Sequence, residues 1–268
     1  MSLTRAERFA RLRLARTDRI GPVAFRQLLD RFGSAGRAVE ALPDLIRKGG
    51  GDYALPSTDR IEDEIAAGDR IGAQLIVLGD ADYPELLAAV DPPPPVLWTR
   101  GDAALIARPC IAIVGARIAS AGGQRIARGL AQQLGETGHV VVSGLARGID
   151  GAAHTGALPT GTVAVLGGGV DDVYPPDNAD LYAQIVGQGC IVSESPVGHR
   201  AQAKDFPRRN RIISRLSRGV ALVEAEIRSG PLLTAPLAAH HGPAAFPVPA
   251  APPAPPSPAP HQLPRHAS

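Results

Sequence analysis

The chain has 268 residues, with 28 lysines and arginines against 26 aspartates and glutamates, and 44% of its residues are hydrophobic. These values are typical of a folded globular protein and argue against extensive disorder. No apolar run approaches the roughly 18 residues of a membrane span, and the Arg-rich beginning lacks the apolar segment of a secretory signal. We therefore expect a cytoplasmic protein with no membrane partner.

The net charge of +2 conceals an uneven distribution. Residues 1–37 hold nine arginines against three acids, and residues 199–218 hold seven basic residues against one acid. Each segment therefore carries +6, and the rest of the chain carries −10. A basic block on an acidic body is expected where a polyanion binds. A solvated helix face is the alternative for the first block, whereas the second interleaves its arginines with Phe206 and Ile212.

The first 56 residues are predicted to form a small helical domain. Helical spacing of apolar residues occurs at 7–17, 20–34 and 36–48. Residues 57–104 are predicted to be a connecting segment that holds a helix and then a strand at 74–79. The proline-rich stretch 91–102 must be extended, because proline blocks helix formation.

Residues 105–249 show a different pattern, in which short β-branched runs alternate with amphipathic helices. The runs are CIAIVG (110–115), HVVVSG (139–144), TVAVLG (162–167), CIVSES (190–195) and GVALVEA (219–225). Apolar strands separated by helices imply parallel pairing with helices on both faces. The predicted fold is α/β: an extended Rossmann-like, doubly wound, mostly parallel sheet with its ligand crevice at the carboxyl ends of the strands. The Pro/Ala-rich residues 250–268 are expected to be disordered.

The turns that follow the first two of these strands each combine glycine with arginine. The first carries Arg117, and the second runs from Ser143 and Gly144 to Arg147 and Gly148. Glycine lets backbone N–H groups turn toward a ligand, and a guanidinium pairs bidentately with phosphate. Together with the RRNR sequence of the second basic block, these turns indicate an anionic ligand.

Several enzyme classes are excluded as far as motifs allow. The turns lack the Gly-x-Gly-x-x-Gly dinucleotide fingerprint, no Gly-Lys pair forms a Walker A loop, and no Gly-x-Ser-x-Gly elbow is present. No His, Cys or carboxylate cluster has metal-ligand spacing, so neither a cofactor nor a metal is predicted. Asp150 and His154 have the i, i+4 spacing of an acid/base pair, and a helix cap with a hydrogen bond along the helix is the alternative interpretation.

Seven stretches, spread over roughly residues 80–235, resemble those of one known family. They are DPPPPVLWTRGD, AIVGARIAS, VVSGLARGIDGAAHTGAL, TVAVLGGGVDDVYPPDNADL, FPRRNRI, ISRLSRG and VEAEIRSG. With these stretches the chain resembles the DNA-processing protein A (DprA, or Smf) family. The resemblance implies an extended Rossmann fold with a SAM-like N-terminal domain. It also implies a non-enzymatic homodimer that binds and protects single-stranded DNA in natural transformation and helps load the RecA recombinase.

The resemblance also implies a set of DNA-binding residues at the strand ends. The set is Arg117, Ser143, Gly144, Arg147, Gly148, Arg209, Asn210, Arg211, Ser229 and Gly230, with Lys204 and Glu224 supporting it. Glu224 is expected to orient an arginine rather than touch phosphate. Because only 4% of the residues are aromatic, we expect binding through the DNA backbone with weak sequence preference and no stacking platform.

The sequence departs from the family near its end. Pro231 and Pro236 interrupt a helix of the family, and Pro247 falls inside a predicted strand, which predicts a disturbed terminus and weakens the inference of dimerisation. Two alternatives stay open. One is a phosphoribohydrolase-like enzyme acting on a small phosphorylated nucleotide, with Asp150, His154 or Glu224 as acid/base. The other is an impaired remnant with a damaged C-terminus.

Overall fold

A computed structural model describes residues 3–49, 54–224 and 244–248. Within these ranges the helices are α1 (Arg5–Ala15), α2 (Pro22–Phe32), α3 (Ala35–Gly49), α4 (Thr58–Arg70), α5 (Glu85–Ala88), α6 (Ala121–Glu136), α7 (Ile149–Ala157), α8 (Ala179–Gln188) and α9 (Asp205–Leu216). The strands are β1 (Ala73–Val77), β2 (Val96–Gly101), β3 (Cys110–Gly115), β4 (Val140–Ser143), β5 (Thr162–Val165), β6 (Cys190–Ser193), β7 (Gly219–Val223) and β8 (Ala244–Val248). No helix in the described part of the chain is long and apolar enough to cross a membrane.

All eight strands belong to one sheet, in the order β1-β2-β6-β5-β4-β3-β7-β8. The six strands from β6 to β8 are parallel to one another, and β1 and β2 extend the β6 edge in antiparallel fashion. The chain leaves β3 toward β4 and later returns to β7 on the other side of β3. The predicted doubly wound, mostly parallel sheet is therefore confirmed, and its topological switch point lies between β3 and β7.

Helices cover both faces of this sheet. On one face, the small residues Ala127 and Ala131 of α6 pack with α7 against Ile113 and Val141 of the strands. On the other face, apolar residues of α9 such as Ile213 join a separate cluster of strand side chains. Strands buried on both sides explain the nearly continuous apolar runs in the sequence.

The N-terminal helices pack against the β1 edge of the sheet, and several α1 arginines make internal contacts there. Arg8 and Arg11 donate hydrogen bonds to the carbonyls of Leu75 and Leu78. Arg16 donates to the Glu64 carboxylate, with one contact of 2.8 Å. Three of the nine arginines of the first +6 block thus hold the first helix against β1 and α4.

The last described strand, β8, lies at the sheet edge beside β7 and contains Pro247, which is in register with Leu222. An edge strand tolerates proline because only one side of it pairs with a neighbour. Pro247 therefore does not prevent this strand from pairing, contrary to the expected interruption. The predicted effects of Pro231 and Pro236, and the predicted tail at 250–268, lie outside the described residues.

The fold predicts opposite effects for two glycine substitutions. A Cβ at Gly115 would lie 1.9 Å from the Val223 carbonyl oxygen, whereas a Cβ at Gly129, inside α6, meets nothing within 4 Å. Gly115→Ala should lower the free energy of unfolding by at least about 1–3 kcal/mol through overpacking. Gly129→Ala should raise it by up to about 1 kcal/mol through helix propensity. Urea unfolding measures both, and equal effects would contradict the close approach of β3 and β7.

Candidate nucleic-acid interface

The carboxyl ends of five parallel strands, β3 to β7, meet at one edge of the sheet, which we call the carboxyl edge. The connections after these strands form its surface. They carry nearly all of the sequence-predicted site residues that the structure describes, whereas Ser229 and Gly230 lie outside the described residues. The topology therefore brings together residues that are up to about 100 positions apart in the sequence.

The turn after β4 is held in shape by buried hydrogen bonds. The Asp150 carboxylate accepts from the backbone N–H groups of Gly144 (3.1 Å) and Ala146 (3.4 Å). Gly148 has φ +76°, and a Cβ there would lie 2.4 Å from the Ala116 carbonyl oxygen. Glycine at this position thus lets the Arg147 turn pack directly against the Arg117 turn.

Arg147 stands at the outer side of its turn. Its side chain is 62% exposed and forms an ion pair with Asp177 at 2.7 Å. Exposed ion pairs of this kind contribute about 0–1 kcal/mol. Because the pair is weak and open to solvent, a phosphate can replace the carboxylate at little cost.

Arg117 is exposed and lies beside an aromatic pair formed by Tyr174 and Phe206. The Arg117 guanidinium carbon is 5.5 Å from the centre of the Phe206 ring. The two ring centres are 5.7 Å apart with planes inclined at 46°. Tyr174 is 54% exposed and Ile118 is 97% exposed. An accessible apolar surface therefore adjoins a cation, and the low aromatic content gave no sign of it.

Two predicted contact residues are internal instead. Arg209 is buried and donates through Nη1 to the carbonyl oxygens of Gly144 (2.5 Å) and Val165. A Cβ on Gly144 would come within 2.2 Å of that nitrogen. Ser143 is also buried, and its hydroxyl donates to the Ile113 carbonyl at 2.6 Å. The structure thus gives both side chains a role in holding strand ends together, and neither is presented at the surface.

Arg209 and Asp150 are a coupled buried pair. Burial lowers the pKa of Arg209 to about 10, although the charge of Asp150 acts to raise it. Burial also raises the pKa of Asp150, against the opposing influence of Arg209 and the N–H groups that it accepts from. For both groups the effect of burial on the pKa exceeds the opposing effect of the other's charge.

The start of α9 carries a second group of cations, centred on the buried Glu194. Arg211 makes two contacts to this carboxylate, at 2.7 and 2.6 Å, and is 22% exposed. Arg208 contacts it only through Nε, at 3.2 Å, and is 55% exposed. Lys204 is exposed and Asn210 is half-buried. Arg208, which the prediction did not single out, therefore has a more exposed side chain than Arg211.

The candidate acid/base pair lies inside the fold. His154 is buried, with Nε2 accepting from the Leu145 N–H at 3.3 Å and Nδ1 2.7 Å from the Thr162 hydroxyl. Burial and the nearby Arg209 charge lower the pKa of His154 to about 3. The capping interpretation is wrong, because Gly148 caps α7 without a side-chain hydrogen bond. Asp150 instead accepts from N–H groups of the turn before the helix, and His154 bonds Leu145 and Thr162.

The carboxyl edge therefore combines exposed arginines, an aromatic pair and tightly held turns. The family model for DNA recombination-mediator protein A matches residues 74–267 of this chain, and the model for the DprA-like N-terminal HHH domain matches residues 5–67. The chain belongs to the DNA recombination-mediator protein A family. The predicted resemblance is confirmed, and the match continues past residue 235, where the predicted similarity ended.

Two curated relatives, both Smf proteins, support this family membership. Protein Smf of Synechocystis is 43% identical over 187 residues, which are 67% of this chain and 46% of the relative. Protein Smf of Escherichia coli is 40% identical over 193 residues, or 70% of this chain and 51% of the relative. The chain thus spans about half the length of these two relatives.

Two solved structures are also similar to this chain. DNA processing protein A of Streptococcus pneumoniae has a TM-score of 0.73 and 29% identity, covering 94% of this chain and 88% of that one. DNA processing protein A of Helicobacter pylori, whose structure was reported for its mode of binding single-stranded DNA, has a TM-score of 0.59 and 30% identity. That match covers 64% of this chain and 79% of the other. The first match supports the fold across nearly the whole chain.

The buried histidine predicts a specific pH dependence of stability. Because its pKa falls from 6.5 to about 3 on folding, the unfolded chain binds the proton and the folded one does not. The contribution of His154 to the free energy of unfolding is therefore fully present above pH 6.5. It decreases as the pH falls, by up to about 1.4 kcal/mol per pH unit. His154→Gln should give a shallower loss between pH 6.5 and 4 in urea unfolding. Other titrating groups, Asp150 included, affect the pH dependence of the parent protein and of His154→Gln alike. Parallel plots of unfolding free energy against pH for the two proteins would therefore contradict the buried neutral histidine.

Proposed function

We propose that this protein binds single-stranded DNA at the carboxyl edge, through phosphate contacts supplemented by base contacts. The observation that carries the proposal is the side-by-side packing of two arginine-bearing turns, with Arg117 and Arg147 both exposed. The structures of family members support it, because the H. pylori relative is described as binding single-stranded DNA. The proposal concerns binding and includes no catalytic step.

Phosphate contacts are assigned to exposed cations. Arg117 and Arg147 stand on adjacent turns. Arg208 contacts Glu194 only through Nε, so the two terminal nitrogens of its guanidinium take no part in that contact. Charge-assisted hydrogen bonds from arginine to phosphate are strong and directional. Three such groups along one edge fit an extended strand with several phosphates better than they fit a single mononucleotide.

The turns are rigid before any ligand arrives. Asp150 and Arg209 hold the β4 turn from inside, and the Asn178 side-chain amide donates to the Leu145 carbonyl at 2.9 Å. A preorganised backbone does not need to be ordered on binding, which favours affinity. Ser143, Gly144, Gly148 and Arg209 therefore act on DNA indirectly, by positioning the exposed side chains.

The aromatic pair offers a surface for bases. Tyr174 is 54% exposed, and its ring centre lies 5.7 Å from that of Phe206. Base stacking on an aromatic side chain tolerates every base, because each has a π-face. This contact adds affinity while preserving the weak sequence preference that phosphate binding implies.

A nucleotide-hydrolysing enzyme is the competing hypothesis. Of its acid/base candidates, Asp150 and His154 are buried and accept hydrogen bonds from backbone N–H groups. The third, Glu224, is half-buried and accepts hydrogen bonds from Ser120. A general acid or base must come within hydrogen-bond reach of the group it serves. The described geometry therefore supports binding better than nucleotide hydrolysis, and incubation with nucleoside monophosphates, followed by assay of released base, separates the two.

The proposal extends to the partners that family resemblance implies. These are a second copy of the chain and the RecA recombinase, which the protein would help to load on incoming strands during transformation. Sedimentation with and without an oligonucleotide tests the homodimer. A RecA strand-exchange assay on coated single-stranded DNA tests loading.

The proposed phosphate contacts predict how affinity for DNA depends on salt concentration and on Arg147. With three phosphates neutralised, the logarithm of the affinity for a single strand should fall against log salt with a slope of about −2, from about −0.7 per phosphate. Arg147→Ala should weaken binding to unrelated sequences equally and make the slope shallower by about 0.7. Fluorescence anisotropy across a salt series measures both.

The matched control is Arg218→Ala. Arg218 is exposed but precedes β7, at the amino edge of the sheet, so its loss should leave the slope unchanged. A flat salt response in the parent protein would refute single-strand binding through phosphates. Equal effects of the two substitutions would show that overall charge, rather than the carboxyl edge, governs binding.

The proposed stacking contact predicts that the effect of Tyr174 on affinity depends on the presence of bases. Tyr174→Ala should weaken binding to an ordinary oligonucleotide by about tenfold, the loss expected for one stacked base. It should leave affinity for an abasic strand of the same length unchanged, because that strand keeps its phosphates. Tyr174→Phe retains the ring and serves as the control. An equal loss with both strands would show that Tyr174 supports the protein structure rather than a base.

A further inference from the structure

The topological switch point of this sheet contains a helix terminus facing a strand end. Parallel β3 and β7 are adjacent, with Gly115 in register with Val223, and the 16-residue α6 begins six residues after β3 ends. In doubly wound folds, a phosphate-bearing ligand is bound here, where the free N–H groups and dipole of the helix favour an anion.

A carboxylate of the protein itself lies at this position. Glu224, the first residue after β7, accepts hydrogen bonds from the Ser120 N–H at 2.8 Å and from the Ser120 hydroxyl. Ser120 is the N-cap of α6, and its own oxygen accepts from the Gly123 N–H at 2.9 Å. The carboxylate thus occupies both the N–H and the hydroxyl of the residue that caps α6.

The surrounding backbone fits this carboxylate closely. A Cβ at Gly123 would lie 2.3 Å from the Glu224 carboxyl carbon, so only glycine leaves room for it. Glu224 itself has φ +49°, a conformation that residues other than glycine rarely adopt. Backbone in such a conformation persists only where its surroundings enforce it, and here it turns the side chain toward α6.

The carboxyl group is ionised at neutral pH. Hydrogen bonds from the Ser120 hydroxyl and N–H hold the pKa of Glu224 below its ordinary value, against a smaller opposing effect of burial. A second anion at the same helix terminus would meet a fixed negative charge at contact distance, where repulsion is strong.

We propose that Glu224 is a built-in anion that closes the phosphate site of the Rossmann-like crevice, and so makes this core select against free phosphate and mononucleotides. Glu224 is thereby a specificity-determining residue. The family resemblance suggested that it orients an arginine, but its contacts are with the start of α6 instead. The inference does not depend on single-strand binding, since it concerns which anions α6 rejects.

The test measures binding of inorganic phosphate and of AMP by titration calorimetry, at constant ionic strength. Two variants open the site: Glu224→Gly removes the side chain and suits the positive φ, and Glu224→Gln keeps the size while removing the charge. We expect no saturable binding by the parent protein. We expect saturable phosphate binding by Glu224→Gly, at least about tenfold tighter than the weakest affinity that the titration can detect, which is equivalent to about 1.4 kcal/mol. We expect a smaller gain by Glu224→Gln.

The control is Asp59→Ala, which removes an acid from the first turn of α4, a helix that also begins with a serine cap but does not follow a strand of the sheet. Phosphate binding by Asp59→Ala as tight as that by Glu224→Gly would overturn the proposal, because any helix terminus would then behave alike. Parent-like behaviour of both Glu224 variants would also overturn it. If Glu224→Gly does not melt cooperatively, Glu224→Gln decides the outcome, because it preserves the packing.

A single-strand titration of the same proteins separates this inference from the proposed function. If the parent protein binds no oligonucleotide, the proposed function fails while the phosphate result keeps its meaning. If the parent protein binds oligonucleotide and the Glu224 variants gain no phosphate affinity, the inference alone fails.

Discussion

Two buried polar side chains hold the carboxyl edge of this protein together. Arg209 reaches from α9 to the carbonyls at the ends of β4 and β5, and Asp150 accepts hydrogen bonds from the N–H groups of the turn after β4. Leaving such buried donors or acceptors without a partner costs about 1–3 kcal/mol. The placement of the exposed Arg147 therefore depends on two groups that solvent hardly reaches.

The basic segment 199–218 illustrates how formal charge differs from available charge. Arg211 is paired with the buried Glu194 and Arg209 is internal, whereas Arg200 pairs with Asp172 but stays 83% exposed. Only part of the +6 in the sequence can therefore contact a polyanion directly. The charge available from the first basic block is reduced in the same way. Arg8 and Arg11 bind carbonyls at the β1 edge, and Arg16 binds the Glu64 carboxylate.

The crevice shows that a shared fold does not determine the ligand. The sheet has the topology of nucleotide-binding proteins, yet Glu224 lies at the helix terminus where their phosphate binds. The cations lie instead on the outer sides of the turns. In the proposed binding mode, a strand crosses the carboxyl edge beside these cations, and the aromatic pair adjoins Arg117.

The sequence by itself determined the strands, the helices and the order in which they alternate, because burial on both faces leaves long apolar runs and helices leave a periodic stripe. It also located the two arginine-bearing turns, since glycine and arginine are adjacent along the chain. It could not separate exposed arginines from buried ones, because Arg208, Arg209 and Arg211 differ only in the direction each takes from one helix. It also could not show that Tyr174 meets Phe206, 32 positions away. Those relations depend on which strands are neighbours, and only the tertiary structure decides that.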